Sequence, residues 1–97
     1  MLKFNEIKSI VSSLCEKYGV KKAYLFGSYA RGEATENSDV DLIIEKGNLK
    51  TYSDYYYFYD ELEKNLGSNA DLISSEKNLL PRFRTAINRD RILLYGL

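Results

Sequence analysis

The feature that most restricts the fold of this chain is a pair of short strand-like runs joined through a glycine-serine step. Lys22, Ala23, Tyr24, Leu25 and Phe26 form the first run, which stops at Gly27-Ser28. Residues 28–32 then read as the start of a helix and 33–37 as a polar loop. The second run, 38–44, is Ser38-Asp39-Val40-Asp41-Leu42-Ile43-Ile44, polar at its start and apolar at its end, and Gly47-Asn48 breaks it. If the two strands are neighbours, the glycine-serine step and the acidic strand start open on the same edge of one sheet.

The rest of the chain alternates helix and strand around this unit. Phe4, Ile7, Ile10, Val11, Leu14 and Tyr18 repeat at helical spacing, with Asn5 as an N-cap and Gly19 as a stop. Cys15 lies beside that stripe and reads as a small buried or half-buried residue. Residues 51–66 predict a second long helix whose stripe is Tyr55, Tyr59, Leu62 and Leu66, ended by Gly67-Ser68-Asn69. Ala70-Asp71-Leu72-Ile73 is a third strand. Pro81 suits the first turn of a last helix, with Leu80, Phe83 and Ile87 on its apolar side. Ile92-Leu93-Leu94-Tyr95 is a final strand, or a short helix. The expected fold is α+β, a mixed sheet of three or four strands packed with helices. A length of 97 residues fits one domain over 1–97 with a small core that a second subunit, a homodimer partner included, would help to stabilise.

Composition removes several chemistries. The chain has no histidine, which excludes Ser-His-Asp and Cys-His catalysis and histidine metal ligands. Its one cysteine excludes an intramolecular disulfide and multi-cysteine zinc sites. Fourteen basic and fourteen acidic residues give zero net charge, which argues against nucleic acid as the main partner. No stretch has a signal-peptide pattern or transmembrane length, so a cytoplasmic protein without a membrane partner is expected.

Carboxylate, hydroxyl, Lys and Arg remain. Asp39 and Asp41 are two apart on a strand and so project to one face. Two such charges repel unless a cation sits between them. Magnesium takes oxygen ligands, often one or two carboxylates plus substrate phosphates. A pair of ions about 4 Å apart clamps the attacking and leaving oxygens of a phosphoryl displacement. Asp71, on another strand, can bring a third carboxylate to the same edge. Ahead of the pair stands Gly27, where a missing Cβ lets backbone approach a phosphate, and Ser28, whose hydroxyl adds a donor at a helix start.

Gly27-Ser28, ten residues, then Asp39-x-Asp41 matches the G-S-x10-D-x-D signature of the DNA polymerase β-like nucleotidyltransferase superfamily. Leu25-Phe26-Gly27-Ser28-Tyr29-Ala30-Arg31-Gly32 and Ser38-Asp39-Val40-Asp41-Leu42 closely resemble its minimal nucleotidyltransferase (MNT) group. The strand bearing Asp71 and the ending Ile92-Leu93-Leu94-Tyr95-Gly96 also look like that family, so the resemblance covers essentially the whole chain. It implies a palm-like fold, ATP as donor, two Mg2+ ions, and pyrophosphate as leaving group. It implies Asp39, Asp41 and Asp71 as catalytic metal ligands, with Gly27 and Ser28 on the triphosphate. Arg31 and Ser38 join the nucleotide-binding candidates. Arg31 stands where it can meet phosphate, Asp39 or solvent, and Ser38 suits orienting the strand start or an Asp. Glu33 and Glu36 read as solvated charges.

Little of the chain is left over to form an acceptor site, so another macromolecule is expected to complete the pocket. Stand-alone MNT domains resemble antitoxins that adenylylate a tyrosine of a HEPN ribonuclease toxin, which makes such a toxin the expected partner in a hetero-oligomer. A non-catalytic antitoxin acting by binding, and nucleotidyl transfer to a small molecule, are the competing readings. The run Tyr52-Ser53-Asp54-Tyr55-Tyr56-Tyr57-Phe58-Tyr59 holds more rings than a small core can bury, so some are expected at an interface. Arg82, Arg84, Arg89 and Arg91 read as a solvated or ion-paired face, or as a docking surface for an acidic partner.

Overall fold

The first apolar stripe becomes α1 (Phe4–Tyr18) in the computed structural model, which describes residues 1–74 and 81–96. The helix begins ahead of Asn5, with Lys3 at the cap. A start at Phe4 puts Glu6 in the third helical position, where its carboxylate accepts the Lys3 N–H at 3.0 Å. Gly19 ends the helix at φ 72°, returning its N–H to the Cys15 carbonyl.

Next come β1 (Lys22–Phe26), the single-turn α2 (Gly27–Arg31) and β2 (Val40–Glu45). Strand β2 starts two residues later than the sequence suggests. Ser38 closes a turn instead, its N–H bonding the Thr35 carbonyl at 3.0 Å and its hydroxyl accepting the Thr35 N–H at 2.8 Å. The chain continues through α3 (Tyr52–Leu66), β3 (Ala70–Ile73), α4 (Pro81–Asp90) and β4 (Ile92–Tyr95). Thr51 caps α3, accepting the Asp54 N–H at 3.1 Å. Leu80 lies outside the described residues, as does the side chain of Phe83.

The four strands form one mixed sheet in the order β3-β2-β1-β4. β1 runs antiparallel to both β2 and β4, and β2 runs parallel to β3. Alternation gives this sheet two unlike faces. Ala23, Leu25, Val40, Leu42 and Ile44 are buried on one of them with Ile7, Val11 and Leu14 of α1 and Phe58, Leu62 and Leu66 of α3. Phe58, absent from the expected stripe, is fully buried, with its ring edge-on to Tyr18 at 5.7 Å. The opposite face carries Phe26, Asp41 and Ile43, and part of α4 lies near it through Ala86, Ile87 and Asp90. Cys15 is buried within the core, and burial pushes its thiol up to about 12.

Candidate active site

Strand pairing places the acidic residues. The antiparallel register sets Phe26, the last residue of β1, opposite Asp41. The parallel register sets Asp41 opposite Asp71. Adjacent strands lie about 4.8 Å apart, so Asp41 and Asp71 stand side by side at one level of the sheet. The end of β1, the start of β2 and the start of β3 therefore share one edge region, where the chain leaves Phe26 for α2.

A cleft of about 280 Å3 opens there, walled by Phe26, Gly27, Arg31, Asp41 and Asp71, and on the α4 side by Ala86, Ile87 and Asp90. Gly27 has φ +73°, and a Cβ on it would overlap the Asp41 carboxylate. Two independent constraints thus demand glycine: a backbone conformation that L side chains rarely adopt, and space already taken by a functional group. Phe26, at the N-cap of α2, supplies no side-chain acceptor to the first N–H groups of that turn.

The electrostatics are those of crowded acids. The Asp41 carboxyl is raised to about 6 by burial first, then by the charges of Asp71 and Asp39, with Arg31 opposing. Asp39 is exposed just ahead of β2 and is not a wall of the cleft, yet its charge reaches Asp41. Among the described residues, no three acidic side chains are gathered closely enough to form a metal cluster by themselves.

Arg31 reaches two carboxylates, Glu33 at 3.0 Å and Asp90 at 3.2 Å. Both bonds hold its guanidinium more firmly protonated than usual. Glu33 is thus an ion-pair partner rather than a purely solvated charge. Asp90 also bonds Arg89 at 3.1 Å, and these arginines hold its carboxyl below the usual range. The Arg31–Asp90 pair was not visible in sequence, because the two residues lie far apart in the chain and meet only when α2 and α4 pack. Ser28 is half-buried in α2 and Ser38 holds the turn before β2; neither walls the cleft. Arg91 stacks over the Tyr24 ring at 4.6 Å.

Comparison with known proteins shows the family and the fold. The family model described as "Polymerase beta, Nucleotidyltransferase" matches residues 5–96. A protein of Methanocaldococcus jannaschii, named as a candidate protein adenylyltransferase, is 41% identical over 95% of this chain and 98% of its own length. A solved candidate minimal nucleotidyltransferase superposes with a TM-score of 0.71 at 39% identity, over 88% of this chain and 86% of that one. A chain from the structure of a tri-AMPylated Shewanella oneidensis HEPN toxin in complex with an MNT antitoxin superposes with a TM-score of 0.66, covering 94% of this chain and 71% of that one. At 17% identity, that last likeness is one of fold alone.

Proposed function

Because the chain belongs to the polymerase β nucleotidyltransferase family, we propose that it is a protein adenylyltransferase moving AMP from ATP to a hydroxyl of a partner protein, a HEPN-type toxin that it silences as an antitoxin. The observation that carries the reading is the register alignment of Asp41 with Asp71 beside Gly27 at the mouth of the cleft. The adenylyltransferase name of the M. jannaschii relative supports the reaction, and the AMPylated toxin supports the class of acceptor. A tyrosine hydroxyl is the acceptor we favour.

The donor set fits magnesium. It is all oxygen, and Asp41 and Asp71 bring two carboxylates side by side to the cleft, as many as magnesium commonly takes beside substrate phosphates. Asp39, Asp41 and Asp71 would hold two Mg2+ ions. Bound there, the ions would supply charge neutralisation for the triphosphate and for the oxygens that attack and leave.

The chain's own residues supply placement. Gly27 leaves room for the Asp41 carboxylate close against backbone, and we assign the Ser28 hydroxyl as a donor to the triphosphate. Arg31 balances charge at the cleft wall, and Ser38 fixes the turn that delivers Asp39 and Asp41. The acceptor oxygen bonds to the α-phosphorus as the bond to the bridging pyrophosphate oxygen breaks. The proton of the acceptor hydroxyl passes to a carboxylate, a role we assign to Asp71.

The test is incubation of purified protein with α-labelled ATP, Mg2+ and host-cell lysate. Label on one small protein, lost with the Asp39→Asn/Asp41→Asn double variant, is the expected result. Label on RNA or a small metabolite would overturn the proposal.

A further inference from the structure

Among the described residues, β3 is the edge of the sheet, and side chains of α3 bond to its outer side where another strand would otherwise pair. The bond from the Val40 N–H to the Asn69 carbonyl at 3.0 Å fixes which backbone groups face β2. By alternation, the N–H and C=O of Ala70 and Leu72 point outward. Three of these outward groups bond side chains of α3. The Glu63 carboxylate accepts the Ala70 N–H at 2.9 Å. The Tyr59 hydroxyl donates to the Ala70 carbonyl at 2.8 Å and lies 3.1 Å from the same Glu63 carboxylate. The Tyr55 hydroxyl donates to the Leu72 carbonyl at 3.2 Å.

Residues 55, 59 and 63 follow at helical spacing of four, so one stripe of α3 faces one edge of β3. The two residues that flank Asp71 are thereby pinned from outside, while β2 holds the strand from inside. A short edge strand held on one side alone frays readily.

We propose that Tyr55, Tyr59 and Glu63 are positioning residues for Asp71: they fix the pitch and register of β3 so that its carboxylate stands beside that of Asp41 at the cleft. The inference rests on the reading of Asp71 as a metal ligand, and it adds the residues that aim it. A purely protective role, covering a sheet edge against pairing with other chains, would need the same bonds but no coupling to the site.

Mn2+ titration followed by electron paramagnetic resonance, with a non-hydrolysable ATP analogue present, separates the two roles. Tyr59→Phe and Glu63→Ala are expected to weaken Mn2+ binding about tenfold, as loss of a group that orients a metal ligand does. Glu63→Gln keeps an acceptor for the Ala70 N–H and is expected to retain parental affinity. Amide hydrogen exchange at Ala70 and Asp71 is expected to quicken in the first two variants only. If those amides exchange faster while Mn2+ binds as in the parent, the bonds are structural and the inference fails. It also fails if Glu63→Gln binds as weakly as Glu63→Ala. Should Glu63→Ala not fold, Tyr59→Phe, which removes a single oxygen, decides by itself. Asp71→Asn is the control: parental Mn2+ affinity there overturns the metal assignment, and the inference with it. Weak binding by Asp71→Asn beside parental binding by the clamp variants overturns the inference alone.

Discussion

At the scale of single residues, Asp41 shows most directly how a half-buried acid among other acids opposes stability. Its carboxyl is raised to about 6 on folding. The native state therefore binds that proton more readily than the unfolded chain does, and stability falls as pH rises through about 6. Solvent reaches the half-buried group, so the discounted loss is roughly 1–2 kcal/mol, or several degrees of Tm in a domain of this size. In EDTA, Asp41→Asn is expected to melt above the parent at pH 7, with a smaller gap at pH 5. A variant that melts lower than the parent at both pH values contradicts this account. Gly27→Ala is expected to cost more than tenfold in transfer rate, since its methyl would occupy the place of the Asp41 carboxylate; unchanged turnover would show the close approach to be dispensable. Cys15 is buried with its thiol pushed up to about 12, so iodoacetamide is expected to leave it unlabelled at pH 8 until denaturant is added.

At the scale of elements, α3 shows where periodicity reads well and where it does not. The stripe Tyr55, Tyr59, Leu62 and Leu66 does face inward, with Leu62 and Leu66 buried and the two tyrosines half-buried. Phe58 sits deepest, because it lies three residues after Tyr55 and four before Leu62 and so shares their face of the helix, where its ring packs edge-on against Tyr18 of α1. Phe58→Ala is expected to cost about 3–5 kcal/mol by urea unfolding, enough to unfold much of a small domain. A cost below 1 kcal/mol would mean the core closes over the gap. The surplus of rings is real: Tyr52, Tyr56 and Tyr57 are 96%, 63% and 59% exposed. Helix starts were less legible than helix spans. Asn5 has the right chemistry for a cap, yet the bond from Lys3 to Glu6 sets the start earlier.

At the scale of the whole molecule, the sheet divides the protein into a core side with α1 and α3 and a site side with part of α4. Substituting exposed or cleft-lining acids therefore leaves the core untouched. Asp39→Asn/Asp41→Asn is expected to fold with parental circular dichroism and to lose transfer by several orders of magnitude. If the parent suppresses growth inhibition by a HEPN-type toxin and this variant does so equally, neutralisation by binding replaces the catalytic account. The alternating order of elements, the chemistry left by the absence of histidine, and the spacing from Gly27 to Asp41 were all written in the sequence, because propensity, composition and spacing are local. The tertiary structure alone decided that Asp71 pairs in register with Asp41, that Asp90 closes on Arg31, and that α3 holds the outer edge of β3. Each of these joins residues distant in the chain, and such contacts form only when packing and backbone hydrogen bonding choose one strand order among several that the same local pattern permits.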